Sequence, residues 1–204
     1  MNINWLLNLL RTKPSPLLAR SPSIPMEEIG TNPIFAQLAV KRLMNPFREY
    51  MLYPHDNKLN LIRGKNTSVR LPLPAKPENQ MDWSIHNHPW FYSPYSALPS
   101  PNDLVHFKAY GHKYSDIVDT MTDKVIRLNY DKPFTSTSLD GPKDVHEIDD
   151  LLDTVFQLKN WVWPNTNYGR KDINQALNPF GVFYETMPIE QHPILGKWLR
   201  LLKK

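Results

Sequence analysis

Ile85-His86-Asn87-His88-Pro89, followed at a distance by Ser100-Pro101-Asn102-Asp103, is the stretch on which the reading of this chain turns. Asp82-Trp83-Ser84-Ile85-His86 reads as a strand and delivers the histidine pair at its end. Side chains on an extended segment alternate between faces, so His86 and His88 point the same way and their imidazoles can converge on one ion. A carboxylate arriving from the next element adds a third ligand. Three protein ligands leave the open position that a catalytic zinc needs for water, and two imidazoles with one carboxylate suit that metal. Each piece also has a plainer structural meaning. Two histidines at a strand end are common on surfaces, and Ser100-Pro101-Asn102-Asp103 is a helix-capping box, with Ser100 as N-cap, Pro101 at N1 and Asp103 reaching back from N3.

Upstream, residues 3–11 read as a short amphipathic helix, and Pro14, Pro16, Pro22 and Pro25 make a stiff linker in which no helix persists. Asn32-Pro33 opens a helix with apolar Ile34, Leu38 and Leu43 along one side and Asn45-Pro46 as its stop. Glu49 to Tyr53 and Leu59 to Arg63 flank the turn-forming cluster Pro54-His55-Asp56-Asn57-Lys58, a hairpin signal, and Ser68 to Leu73 reads as a third strand. Downstream, a proline- and aromatic-rich loop from Pro89 to Pro99 leads into a helix from Ser100 to Tyr110. A second hairpin, Tyr114 to Thr120 with Val125 to Tyr130, turns at Thr122-Asp123-Lys124. Glu147 to Leu158 has the helical spacing Ile148, Leu151, Leu152, Val155, Phe156. Asp172 to Leu177 is a short helix, Val182 to Tyr184 a last strand, and Ile194 to Lys204 a basic amphipathic tail. Helix, strands, helix, strands, helices is the order of an α+β domain.

The 204 residues suit one domain with extensions: an arm at 1–31, a domain at 32–190 and a tail at 191–204. Twenty prolines against seven glycines point to short elements joined by stiff connections, and the absence of cysteine excludes disulfides and leaves metal binding to His and carboxylate. A net charge of +4 with interspersed signs gives no strong nucleic-acid signal. No run approaches the roughly 18–20 apolar residues of a membrane span. The run Trp5 to Leu10 lacks a charged n-region and a cleavage site, so it reads as a docking helix. The acid-free start is also compatible with a mitochondrial presequence.

His86-Asn87-His88-Pro89, a loop, and Ser100-Pro101-Asn102-Asp103-Leu104 opening a helix together resemble the JAB/MPN metalloprotease family. Its JAMM motif is a Glu on an early strand, then H-x-H-P, a spacer and S-x-x-D, and Asn between the histidines with Pro after is typical of its bacterial and phage branches. The resemblance covers roughly residues 32–130. It implies a curved mixed β-sheet flanked by helices, the architecture also seen in cytidine deaminases, with His86, His88 and Asp103 as zinc ligands and Ser100 as the donor to the oxyanion. The implied general base is Glu49; Glu78, in a Pro-rich connection, and Glu27 and Glu28, before the helix, are poorer candidates. The spacer is longer than the family's. Ser96 stands where a shorter spacer would put the serine, but no Asp follows it at the right distance. The extra residues include Trp90, Tyr92 and Tyr95, which suit a flap that grips an extended peptide.

The activity implied is cleavage of a peptide or isopeptide bond in a protein substrate such as a ubiquitin-like tail. Its setting would be the cytoplasm of a bacterium or phage-infected host, or a virion. The competing expectation is a non-catalytic MPN-like scaffold in a larger assembly, with both termini as tethers to neighbours; a third is a plain α+β binding domain. Of the other features, His106 lies one turn after Asp103 and reads as a solvated histidine, with a supporting role at the cluster as the alternative, whereas His55, His112, His146 and His192 show no ligand spacing. Trp161-Val162-Trp163-Pro164 and Phe180 to Tyr184 read as packing clusters.

Overall fold

Asn32 starts the first helix as local chemistry requires. Its side chain accepts from the Phe35 amide at 3.0 Å, and Pro33 fills the first helical position where no N–H is needed, giving α1 (Pro33–Leu43). In this computed structural model residues 22–64, 82–88, 99, 103, 112–120, 122–130 and 170–203 are described. The expected helices at 3–11 and 147–158, the strand at 68–73, the Trp161–Pro164 cluster and His106 lie outside those residues.

Seven strands form one mixed sheet: β1 (Ser23–Pro25), β2 (Tyr50–His55), β3 (Lys58–Arg63), β4 (Trp83–His88), β5 (Tyr114–Asp119), β6 (Lys124–Tyr130) and β7 (Val182–Pro188). Their order is β1-β3-β2-β4-β5-β6-β7, and every neighbouring pair is antiparallel except β4 and β5. With α1, α2 (Arg170–Leu177) and α3 (Leu195–Leu202) this is a mixed α+β fold. Among the described residues no helix is long and apolar enough to cross a membrane.

Several boundaries differ from the sequence reading, each for a physical reason. The first hairpin turns on Asp56-Asn57 alone, whose φ values of 49° and 55° are those of the two-residue turn that matches strand twist. Pro54 is therefore a strand residue. Pairing of β2 with β4 stops at Leu52, so the N–H that proline lacks costs no ladder bond. Pro22 to Gly30, read as linker, is part of the fold: Ser23–Pro25 pairs with β3, and Met26–Gly30 forms a 3-10 turn. Ile34 is exposed, and the buried side of α1 is Phe35, Ala36, Leu38, Ala39, Val40 and Leu43. β7 runs on to Pro188, paired with β6 along its whole length.

The basic segment at the C-terminus packs into the domain. Trp198 on α3 is fully buried, meets Phe35 edge-on with ring centres 5.9 Å apart, and donates its indole N–H to the Ile29 carbonyl. Gly196 is required there, because a Cβ would stand 2.1 Å from the Glu190 carbonyl oxygen. Together α1, α3 and the inward residues Leu52, Leu59, Leu61, Ile85, Val118 and Val125 make one core. Alternation along β4 then sends Ser84, His86 and His88 to the opposite face from Ile85 and Asn87. At the far edge, the Asn174 carboxamide on α2 accepts from the Tyr184 N–H and donates to the Tyr184 carbonyl at 2.6 and 2.9 Å. It occupies the β7 edge there as a neighbouring strand would.

Candidate metal centre

β4 lies between β2 and β5, which leaves His86 fully buried and the His88 side chain 13% exposed. Asp103, a helical residue, brings its carboxylate to both rings. Its two oxygens divide between them: Oδ1 lies 3.4 Å from His86 Nε2 and Oδ2 3.1 Å from His88 Nε2, while the two Nε2 atoms are 3.1 Å apart. Donors held at 2.0–2.1 Å by a tetrahedral ion sit about 3.3 Å from one another. The 3.1 Å between the two Nε2 atoms is close to that spacing, one donor atom from each of the three residues lies within 4.8 Å of the others, and the donor set, two imidazoles and a carboxylate, is one zinc takes.

Electrostatics at the cluster are strong. Burial works against the Asp103 charge, yet the His86 and His88 imidazoles beside it hold its carboxyl well below the usual carboxylate range. Burial likewise works against a charged His86, but Asp103, with smaller pulls from Glu49 and Asp116, raises it above an ordinary histidine. Glu49 therefore feels the cluster. It is buried at 6% exposure and sits one residue before β2, which is the second strand in chain order and begins at Tyr50 rather than at Glu49. Continuing the Met51↔His86 register by two residues sets Glu49 opposite His88, on the face His86 and Met51 share.

His86, His88 and Asp103 are thus brought together, with Glu49 beside them. Ser100, Trp90, Tyr92, Tyr95 and Glu78 lie outside the described residues. Glu28 is engaged elsewhere, accepting from the Asn32 side chain at 2.9 Å as α1 begins.

Sequence reasoning passed over two groups. The first is Asn87, between the histidines and fully buried on the α1 side of the sheet. Its carboxamide donates to the carbonyls of Asn45 at 2.8 Å and Arg48 at 3.0 Å, and accepts from the Tyr50 N–H at 2.7 Å. The available signal was its position: alternation places it on the face opposite its neighbours, where a carboxamide needs partners. The second group is Asp116, Arg127 and His192. Arg127 grips the buried Asp116 through Nε at 2.9 Å and Nη2 at 2.8 Å, and His192 Nε2 lies 2.8 Å from the same carboxylate. His192 Nδ1 accepts from the amides of Ile194 and Leu195, which fixes the proton on Nε2 as donor to Asp116. A histidine without ligand spacing turns out to tie the start of α3 to β5. Arg127 also lies over the Tyr114 ring, which stacks on Trp83.

No family model, no curated protein and no solved structure matches this chain.

Proposed function

We propose that the chain is a zinc-dependent hydrolase of the JAB/MPN type that cleaves a peptide or isopeptide bond. The observation that carries this reading is the convergence of His86, His88 and Asp103, one donor atom of each lying within 4.8 Å of the others, which suits a single zinc. Zinc held there supplies Lewis acidity and makes a water molecule acidic enough to be a nucleophile near neutral pH. The chain's own residues do the rest. His86 and His88 bind through Nε2 as neutral imidazoles, and Asp103 adds the single negative charge. Glu49, on the same face and within electrostatic reach of His86, is the group to take up the proton released from the nucleophile and return it to the leaving amine. Ser100, by its place in the motif, donates to the carbonyl oxygen as charge develops on it. The aromatic residues Trp90, Tyr92 and Tyr95 are assigned to holding an extended peptide. The curved JAB/MPN arrangement, a bacterial or phage setting and a ubiquitin-like or structural-protein substrate follow from the motif in the same reading.

The test begins with elemental analysis of the purified full chain after incubation with zinc and removal of excess. One zinc per chain in the parent and none in His88→Ala is the expected result, followed by peptide and isopeptide cleavage that Glu49→Gln abolishes with zinc retained. Parent protein that takes up no zinc ends the hydrolase reading. Zinc uptake with no turnover in the parent leaves the scaffold reading, in which the cluster only ties β4 to the helical segment of Asp103, and turnover indifferent to Glu49→Gln overturns the assignment of Glu49 as the base.

A further inference from the structure

We propose that Asn87 is the positioning residue for Glu49, so that one side chain sets the distance between the general base and the metal-binding histidines; this rests on the hydrolase reading above. Glu49 lies one residue before β2, in the segment joining α1 to that strand, where the main chain is held on the β3 side by the Gly64 N–H and on the β4 side by a side chain. The Asn87 carboxamide supplies the constraint on the β4 side. It donates to the Arg48 carbonyl just before Glu49 and accepts from the Tyr50 N–H just after, and its second N–H reaches the Asn45 carbonyl at the end of α1. All three bonds are 2.7–3.0 Å long and are made by a residue with no solvent exposure. Gly64 adds one further anchor by donating to the Glu49 carbonyl at 2.9 Å.

The covalent geometry makes this a direct linkage. Asn87 lies between His86 and His88 on the same strand and points to the other face. The backbone that aims the two imidazoles therefore also carries the clamp that holds the Glu49 main chain. A base displaced by about 1 Å loses much of its catalytic value, on the order of a hundredfold in rate.

The experiment uses the full chain with cobalt(II) in place of zinc, comparing the parent, Asn87→Ala, Glu49→Gln and the double variant. Hydrogen exchange at the Tyr50 amide reads the clamp, and the pH midpoint of the cobalt absorption spectrum reads the base beside the metal. Asn87→Ala is expected to bind one cobalt with affinity within about threefold of the parent, because His86, His88 and Asp103 are untouched. Its Tyr50 amide should exchange at least about tenfold faster, as loss of a buried hydrogen bond implies. Its spectral midpoint should move with the sign of Glu49→Gln and by about half a unit or more, and the double variant should move no further than Glu49→Gln alone. A faster Tyr50 amide with an unmoved midpoint, or shifts that add in the double variant, overturns the positioning role and leaves Asn87 a structural clamp. Parent protein that binds no cobalt overturns the hydrolase reading and the positioning role with it, an outcome told apart by the metal stoichiometry alone.

Discussion

Two histidine–aspartate clusters sit on opposite faces of the same central strands, and they are built to different ends. On the face covered by α1 and α3, Asp116 is closed off: Arg127 takes both its oxygens, and His192 donates to one of them while its other nitrogen accepts two main-chain amides. Both Asp116 oxygens and both His192 ring nitrogens have a partner of opposite role within the protein. On the other face, His86, His88 and Asp103 turn three electron-pair donors toward one point. With no cation between them, one of the facing Nε2 atoms has to carry a proton. Residue type therefore does not separate the two. The difference is the source of positive charge, a covalently attached guanidinium in one case and a proton or metal ion in the other.

The largest effect should come from the closed cluster. Asp116→Ala leaves the Arg127 guanidinium beside an empty site and His192 without its acceptor, and breaking a buried pair in this way costs about 3–5 kcal/mol. Chemical denaturation should show that loss, while zinc stoichiometry of the folded fraction stays at the parent value. Asp103→Ala should show the opposite pattern, with zinc uptake lost along with the stabilisation that zinc gives the parent, about 2.7 kcal/mol at a hundred times Kd. If Asp116→Ala removed zinc binding, the two clusters would be one coupled system and the contrast between them would fail.

A buried histidine belonging to neither cluster separates their acid behaviour from that of the fold. Burial pushes His112 down from 6.5 to about 4, the charge of His86 adding to the fall and that of Asp82 opposing it. The unfolded chain then binds a proton that the native state refuses between those two values. This contribution to stability is intact above about pH 6.5 and declines as pH falls toward 4, by about 3 kcal/mol in all. Asp103, held well below the usual carboxylate range, keeps its charge through that interval. His112→Leu should accordingly flatten the stability profile between pH 6.5 and 4 in urea denaturation of the metal-free protein. An unchanged acid slope would assign it to the two clusters instead.

What could be read from the sequence was what local chemistry decides. Asn32 before Pro33, Asp56-Asn57 between apolar runs and the alternation through Trp83–His88 each fix a cap, a turn or a strand within a few residues, and the structure holds all three. The His86, His88 and Asp103 cluster was accessible because two of its members stand two residues apart on one face of one strand. Where the reading went astray, distant partners decide the outcome. Pro54 is a strand residue only because β4 has already ended its pairing, and Ile34 is exposed because Phe35 is the residue that meets Trp198. His192 and Asp116 are 76 residues apart, and nothing in either neighbourhood names the other. The Asn87 clamp reaches back about forty residues to a segment with no periodic signal of its own.

The smallest effect asks which end of α1 matters to the metal cluster. Asn32 caps the helix at its start, about 16 Å along the axis from the segment that Asn87 holds at its end, given 1.5 Å per residue. Asn32→Ala removes the bond to the Phe35 amide and should cost about 1 kcal/mol. The loss should fall on the first turn of α1, near its contact with Trp198 and so on the side of the closed cluster. Zinc affinity, measured by competition with a chelator, should not change, because Asn87 fixes the Arg48–Tyr50 backbone from the strand and not through the helix. A fall in zinc affinity that tracks the loss of helix stability would mean that α1 itself sets the segment carrying Glu49, and that the open cluster depends on the same packing as the closed one.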